Sequence, residues 1–410
     1  MDVTALVLAY AQAEVPEDVL EVMRLSVLDW AACGIAGWRE GAFAAWAATL
    51  TSQGPGTRFD GRSAGLAEAA LVNGTVSHAL DYDDTHFAHI GHPSVAVIPA
   101  ALAVAEATGA SLHQMVDAAL VGAEASVALG LWLGRDHYQV GFHQTATAGA
   151  FGATGAAGRV LGLTDAQMRH ARGLCSTMAS GLKSQFGTMG KPLNAGLAAR
   201  TGVEAALWAQ AGMTSAEDGL ADPLGFGATH HGAGVEVAFD WRMGAVSHKF
   251  YACCHGLHAA LEAVRDVDLV AAEQVTVHTH PRWMTVCNQL APDTGLGAKF
   301  SYRHVLAMCA HGYDTGDIAA FTDATAQKPA LVAWRDRVDV QPDANLTEIQ
   351  ARVVVDGVAH THDLDAPLPF AARRARLIAK ARALVGARAD EIAQAIEDDD
   401  LTRFAQLLTS

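Results

Sequence analysis

Small apolar residues, spaced three or four positions apart as on one face of a helix, dominate residues 1–246 of the chain. Val19, Met23 and Val27 follow this spacing after Pro16-Glu17-Asp18, which is a typical helix start. Charges are rare in the later apolar stretches, so we expect those helices to be buried on most faces. The predicted helices cover residues 66–79, 95–108, 112–131, 145–161, 165–182 and 197–211.

Near Ser247 the pattern changes to short, partly alternating stretches rich in β-branched residues, which favour strands. Asp356-Gly357 separates two of these stretches and predicts a hairpin. A helical pattern over residues 302–310 lies between the strands, and helical patterns return after Pro369. The predicted strands cover residues 273–279, 339–340, 348–355 and 358–364.

These patterns predict a mainly α protein with a smaller α+β domain. We expect the helical domain to comprise residues 1–246 together with 368–410, and the small α+β domain to comprise residues 247–367. A chain of 410 residues that is 51% hydrophobic is long enough to bury more than one core.

Charge is scarce and mostly negative. Only 18% of the residues are charged, so much of the surface is expected to be hidden in a core or an oligomer interface. A net charge of −16 leaves no basic footprint, which argues against a nucleic-acid partner. Apolar runs such as residues 95–105 are too short to span a bilayer, and no secretory leader is visible. We therefore expect a cytoplasmic protein without a membrane partner, and its six cysteines, which form no C-x-x-C pair, fit a reduced compartment.

Residues 77–94 hold three carboxylates and four histidines in an otherwise charge-poor chain. Carboxylate and imidazole together are the usual components of a proton-transfer site or a metal site. His86, His89 and His92 repeat every third residue, and Gly91 and Pro93 would end a helix there. Because helical zinc sites usually place histidines four apart, the spacing favours acid–base chemistry, and we predict no metal.

Four further segments place polar side chains among apolar ones, namely residues 138–145, 187–196, 248–258 and 299–304. Taken singly, Asp81 and Asp84 fit helix caps, and Lys191 fits an exposed cation. His86, His89 and His92 taken singly fit solvated loop residues. Taken together, the five polar segments predict one shared site. The chain shows neither the full phosphate-loop spacing nor a Gly-x-Gly-x-x-Gly motif after a strand, so we predict no nucleotide cofactor.

The residues Asp81-Tyr82-Asp83-Asp84-Thr85, followed by His92-Pro93-Ser94, resemble the signature of the MmgE/PrpD family. That family includes 2-methylcitrate dehydratase, cis-aconitate decarboxylase and iminodisuccinate epimerase. Further similar segments occur in the family's order at Val27 to Gly37, Gly141-Phe142-His143, Lys191-Pro192-Leu193, Lys249-Phe250 and Lys299-Phe300-Ser301.

The resemblance implies a large helical domain, a small lid-like α+β domain, a site in the cleft between them, and a homodimer. It also implies chemistry without a metal or an organic cofactor. Motif by motif, it places Asp81, Thr85, His92, His143 and Lys191 at active-site positions, with Lys249 in a segment that contributes to the site. We expect Asp81, His92, His143 and Lys191 to be catalytic. Asp83, His86 and His89 are expected to have structural or surface roles. Substrate-binding candidates are Thr85, Tyr138, Lys249, His258, Arg303 and His304.

Substrates of this family resemble di- or tricarboxylates, whose C–H bonds beside a carboxylate are very weakly acidic. Their chemistry needs a base on that proton and cations that neutralise the enediolate-like intermediate. His143 or His92 suits the base, and Lys191, Lys249 and Arg303 suit the cations, while Asp81 would orient His92. We expect a hydro-lyase that dehydrates a small polycarboxylate. Alternatives are an epimerase of an amino- or imino-polycarboxylate, a cis-aconitate-type decarboxylase, and a non-catalytic ligand-binding dimeric scaffold.

Overall fold

The computed structural model describes residues 2–409 and divides the chain into two compact units. The first unit runs up to His248 and resumes at Leu377, and the second is Lys249–Arg376. The first is built almost entirely from helices, and the second combines helices with a small sheet. The predicted fold class is therefore confirmed, while the division into domains at residues 246 and 368 stays a prediction.

The helices of the first unit are dominated by long apolar segments. They are α1 (Val3–Gln12), α2 (Glu17–Arg39), α3 (Ala44–Ala47), α4 (Leu66–Ser77), α5 (Ser94–Thr108), α6 (Leu112–Gln139), α7 (Gln144–Val160), α8 (Asp165–Met178), α9 (Gly190–Gln210) and α10 (Phe226–Thr229). Two short strands, β1 (Gly56–Thr57) and β2 (Ser63–Ala64), pair antiparallel beside them. After the second unit, the chain returns to the first in the last part of α17 (Phe370–Val385), in α18 (Arg388–Glu397) and in α19 (Leu401–Leu408).

Small residues let α4, α5, α7 and α9 pack closely around the centre of the first unit. A methyl group on Gly74 of α4 would lie 2.9 Å from the Cα atom of Gly196 in α9. A methyl group on Gly202 of α9 would lie 2.4 Å from the side chain of Ala153 in α7. Both distances are below ordinary contact, so the glycines set the helix spacing despite their cost to helix stability.

Helix α6 extends eight residues beyond the predicted end at residue 131. It continues through a local break at Gly134, whose φ of 73° and ψ of −174° are not helical. Its length and apolar composition would allow it to cross a membrane, but 83% of its most apolar window is buried inside the protein. The same pattern is typical of a core helix in a soluble fold.

Residues 179–182 are not α-helical, although the apolar pattern extended the predicted helix to residue 182, and a short 3₁₀ helix follows at Lys183–Gln185. Helix α8 ends at Met178, and Gly181 and Gly187 follow with φ angles of 142° and 82°. These values lie outside the range of a right-handed helix. Helix α9 then begins at Gly190 rather than at residue 197, so Lys191 lies in its first turn.

The second unit contains a sheet of four strands, β3 (Val275–Thr279), β4 (Val338–Pro342), β5 (Gln350–Val355) and β6 (Val358–Asp363). Their order in the sheet is β4-β3-β5-β6. Strand β3 pairs parallel with β4 and antiparallel with β5, and β5 pairs antiparallel with β6. Asp356 and Gly357 join β5 to β6 with φ angles of 47° and 86°, so the predicted hairpin is confirmed and both turn residues are left-handed. The α-helices of this unit are α11 (His258–Ala263), α12 (Trp283–Val286), α13 (Gly295–Ala298), α14 (Tyr302–Ala310), α15 (Asp323–Ala326), α16 (Pro329–Arg335) and the start of α17.

A buried ion pair ties the C-terminal helix α17 to the centre of the first unit. The Nζ atom of Lys380 lies 2.6 Å from Oδ1 of Asp29 in α2, and both side chains are 2% exposed. The same ammonium donates a hydrogen bond to the backbone carbonyl of Tyr82, between Asp81 and Asp83. Lys380 therefore neutralises the buried charge of Asp29 and also fixes the backbone of the polar segment at Tyr82.

We predict that Lys380→Met lowers the free energy of unfolding by about 3–5 kcal/mol, because it leaves the charge of Asp29 buried without its partner. The double variant Lys380→Met, Asp29→Leu should recover much of this loss. Urea unfolding measures both, with the exposed Lys328→Met as the control. A loss below about 1 kcal/mol in Lys380→Met would contradict a stabilising pair.

Candidate active site

Four helix ends of the first unit carry the polar residues of a single cluster. His78 follows the last residue of α4, and His92 stands two residues before α5. His143 is the residue before α7, and Lys191 is in the first turn of α9. Three helices thus begin at this cluster, and a helix N-terminus carries a partial positive charge that favours anions.

The carboxylate of Asp83 lies between two imidazoles. Its Oδ1 atom is 2.9 Å from Nδ1 of His78, and its Oδ2 atom is 2.7 Å from Nδ1 of His92. The side chains of Asp83 and His78 are buried, and the two imidazole rings lie 4.5 Å apart. Burial alone would raise the pKa of Asp83, but the charges and hydrogen bonds of His78 and His92 hold this pKa well below its usual range. Asp83 is therefore a permanent anion that orients both rings.

A second carboxylate, that of Asp81, joins the cluster from its open side. Its side chain is 47% exposed, and its Oδ1 atom lies 2.7 Å from Nζ of Lys191 and 3.4 Å from Nε2 of His92. Asp81 adopts a left-handed backbone conformation with φ of 51°, which aspartate tolerates better than most residues. Lys191 and Nε2 of His92 thus share one partner, next to the accessible face.

His143 lies beside the same cluster, with its ring 6.1 Å from that of His78 and 4.9 Å from that of Phe186. Burial, together with the positive charges of His78 and Lys191, holds the pKa of His143 well below its usual range. The imidazole of His143 is therefore neutral at physiological pH. The ring of Phe186 also lies 5.5 Å from Nζ of Lys191, so it covers both groups from one side.

The distances between donor atoms in the cluster indicate whether its side chains could bind a metal ion. Nitrogen or oxygen atoms of His78, Asp81, Asp83 and His92 all lie within 4.8 Å of one another, which is close enough to surround a cation. However, Nδ1 of both histidines faces Asp83, and the ammonium of Lys191 lies 2.7 Å from Asp81. A cation would have to displace these contacts and approach an ammonium of the same charge. The donor set therefore suits hydrogen bonding and proton transfer better than metal binding.

The structure brings together Asp81, His92, His143 and Lys191, the four predicted catalytic residues. Thr85 lies in the same polar segment, where its backbone forms a bridge to Ser247. Tyr138 lies instead against Lys183, whose Nζ is 3.7 Å from the centre of the phenol ring. The roles assigned to these residues stay predictions.

The remaining predicted substrate-binding residues belong to the second unit. Lys249 and His258 are buried there, and Nε2 of His258 lies 3.3 Å from the carbonyl of Cys253. Arg303 donates a hydrogen bond to Asn288 at 2.7 Å. His304 has no exposed surface, and burial lowers its pKa to about 4, while its predicted role in substrate binding stays a prediction. The expected site between two domains likewise stays a prediction.

The sequence analysis missed the central position of Asp83 and the participation of His78. It gave the orienting role to Asp81 and left Asp83, His86 and His89 with structural or surface roles. All three are buried, so a surface role is wrong for them, and Asp83 is the residue that contacts Nδ1 of His92. The grouping of His78, Asp81 and Asp83 within six residues is the sequence feature that could have indicated their contact.

Asp84 lies behind the cluster and is fully buried. It accepts hydrogen bonds from the backbone N–H and the hydroxyl of Ser94, the first residue of α5. Burial raises the pKa of Asp84 to about 7, against these hydrogen bonds and with the help of the charges of Asp29 and Asp83. Asp84 therefore helps to fix the start of α5, and with it the position of His92.

We predict that Asp84→Asn becomes more stable relative to the wild type as the pH rises from 4 to 8. The folded wild type keeps the proton of Asp84 up to about pH 7, whereas the unfolded chain loses it near pH 3.8, so wild-type stability falls through this window. The amide carries no charge at any pH, and the difference should grow by roughly 2–4 kcal/mol. Urea unfolding at each pH measures it, and a constant difference would contradict the raised pKa.

These features define the class of site, which is an acid–base centre with a lysine at a meeting point of helix N-termini. A sequence profile of the MmgE/PrpD N-terminal domain matches residues 2–237, and a profile of the MmgE/PrpD C-terminal domain matches residues 251–402. The chain belongs to the MmgE/PrpD family, as the resemblance of its motifs predicted.

Several relatives share a name. The chain is 28% identical over 340 residues to a cis-aconitate decarboxylase of Aspergillus terreus, an alignment that covers 73% of this chain and 69% of the relative. It is 30% identical over 282 residues to one from Aspergillus terreus strain NIH 2624 / FGSC A1156, covering 62% of this chain and 57% of the relative. It is 34% identical over 166 residues to one from Homo sapiens, covering 39% of this chain and 34% of the relative. In the last two pairs the chain spans less than two thirds of the relative.

Proposed function

We propose that the protein is a lyase that decarboxylates a small unsaturated tricarboxylate of the cis-aconitate type. The observation that carries this proposal is the contact of Lys191 with Asp81, which places an ammonium next to the His92–Asp83 pair. Such a site binds carboxylates and moves protons, and the chain aligns with proteins named cis-aconitate decarboxylases.

Loss of carbon dioxide from cis-aconitate needs no base on carbon. The bond between the methylene carbon and its carboxylate breaks, and its electron pair forms a new carbon–carbon double bond. The pair of the old double bond moves to the former vinylic carbon, where the attached carboxylate holds it as an enediolate. A proton delivered to that carbon then completes the product. The catalytic requirements are therefore a cation for the enediolate and a proton donor at that carbon.

The cluster offers both requirements. Lys191 supplies an ammonium, and its partner Asp81 is exposed enough to release it to a substrate carboxylate. The rings of His92 and His143 lie 4.5 Å and 6.1 Å from that of His78, and each is a candidate proton donor. The converging N-termini of α5, α7 and α9 add a local positive potential against the net charge of −16. The ring of Phe186 excludes water from part of the site.

Dehydration of a hydroxy-polycarboxylate is the second candidate, and the Asp83–His92 contact favours it. When Nδ1–H of neutral His92 donates a hydrogen bond to Asp83, Nε2 is left unprotonated as a base that can remove a proton from carbon. A second imidazole could then protonate the leaving hydroxyl. Decarboxylation and dehydration thus share the stabilised enediolate and differ in the bond that breaks.

Proton NMR in deuterated water distinguishes these reactions with a panel of cis-aconitate, citrate and 2-methylcitrate. Decarboxylation should yield carbon dioxide and a product with one deuterium at the newly protonated carbon. Dehydration should yield an alkene with all its carbon atoms retained. Turnover of cis-aconitate without loss of carbon dioxide, or no turnover of any panel member, would contradict the proposed decarboxylase.

We predict that Lys191→Ala and His143→Ala each lower kcat by roughly 10²–10⁴-fold, because one removes the cation and the other an imidazole of the acid–base site. His143 is buried, so its truncation leaves a cavity, and thermal melting shows whether each variant remains folded. The exposed residues Lys328 and His113 provide matched controls as Lys328→Ala and His113→Ala. Near wild-type turnover in both site variants would refute the assignment of this cluster as the catalytic centre.

A further inference from the structure

The side-chain amide of Asn194 bridges His143 and a backbone carbonyl. Asn194 lies one turn after Lys191 in α9 and is 6% exposed. Its Nδ2 atom is 3.2 Å from Nδ1 of His143 and 3.3 Å from the carbonyl oxygen of Leu182. Its neighbours therefore determine how this amide is oriented.

The carbonyl of Leu182 can only accept a hydrogen bond, so it must face the nitrogen of the Asn194 amide and not the oxygen. The reverse orientation would bring two carbonyl oxygens together at the same distance. Since the same amide nitrogen also faces His143, its second hydrogen points at Nδ1 of that ring. An N–H group cannot accept a hydrogen bond, so Nδ1 of His143 must be the unprotonated nitrogen.

A neutral imidazole with an unprotonated Nδ1 carries its proton on Nε2. Nε2 of His143 makes no hydrogen bond to any residue from 2 to 409, so that proton is available to a ligand. Burial and the neighbouring charges keep the ring neutral, in agreement with this tautomer. His92 is in the opposite state, since its Nδ1 faces the carboxylate of Asp83 and must carry a proton.

We propose that Asn194 is a positioning residue that fixes His143 as the Nε2–H tautomer and thereby makes it the proton donor of the site. The tautomer follows from the contacts of Asn194 alone. The role as donor rests on the proposed lyase function. In that reaction His143 delivers the Nε2 proton to the carbanion carbon, and the ring is reprotonated from water after the product leaves.

The tautomer is tested by nitrogen-15 NMR of the full protein labelled with [15N]histidine, with His143→Gln used to identify the signals. Protonated and unprotonated ring nitrogens have widely separated shifts and different couplings to the ring protons. We expect an unprotonated Nδ1 and a protonated Nε2 for His143 in the wild type. A protonated Nδ1 there would overturn the proposal, whatever the substrate proves to be.

Asn194→Asp tests the consequence for catalysis, because the carboxylate has the shape of the amide but accepts a hydrogen bond from Nδ1 of His143 instead of donating one. We expect it to move the His143 proton to Nδ1 and to lower kcat by roughly 10²–10⁴-fold, with KM near the wild-type value. Asn194→Leu, which fills the space and fixes neither tautomer, should fall less far. A role in packing alone predicts the reverse order, with Asn194→Asp close to wild type.

Circular dichroism and thermal melting establish that each variant is folded, and the exposed Asn345→Asp serves as the matched control. Wild-type kcat in Asn194→Asp, with the proton shown by NMR to have moved, would overturn the donor role of His143. If the wild type turns over no tricarboxylate, the proposed function fails, while the NMR spectrum still decides the tautomer.

Discussion

Burial of the Asp83 carboxylate is the constraint on which the rest of the site depends. An unpaired buried carboxylate is strongly destabilising, so the fold must supply hydrogen-bond donors with good geometry. His78 and His92 are those donors, and they stand at the end of α4 and just before α5. Their contacts with one carboxylate hold the connection between the two helices in a single conformation. The same contacts leave Nε2 of His92 pointing toward Asp81 and Lys191.

The site also has to attract an anion to a protein with a net charge of −16. Salt screens the charge of the whole surface within about 10 Å, so the local arrangement decides. Lys191 and the N-termini of α5, α7 and α9 provide a positive environment at short range. The close packing of these helices, enforced by glycines such as Gly74 and Gly202, brings the three N-termini together.

The sequence allowed prediction of the elements whose local signals agree with their tertiary environment. The start of α2 at Glu17, the helix Tyr302–Ala310 and the hairpin at Asp356-Gly357 each have a clear local cause. The stretch between α8 and α9 was predicted wrongly because its apolar pattern continues while left-handed glycines break the helix. Apolar periodicity describes burial and does not record the backbone angles of single glycines.

The same limit applies to the site. Its residues share short motifs, so the participation of Asp81, His92, His143 and Lys191 was predicted from the family resemblance. Which carboxylate orients which ring depends on distances of a few ångströms across a loop, and this detail places Asp83 rather than Asp81 behind His92. Asn194 lies in the polar segment 187–196, but its role could not be predicted, because it depends on the carbonyl of Leu182 between α8 and α9.

The central claim is that this cluster binds a tricarboxylate through Lys191 and acts by proton transfer. A crystal structure with propane-1,2,3-tricarboxylate, which has the carbon skeleton of cis-aconitate without its double bond, tests it most directly. We expect a carboxylate of the ligand within hydrogen-bond distance of Nζ of Lys191, a ligand carbon facing Nε2 of His143, and no anomalous signal between His78, Asp83 and His92. A ligand bound away from Lys191, or a metal ion held by those three residues, would contradict the account.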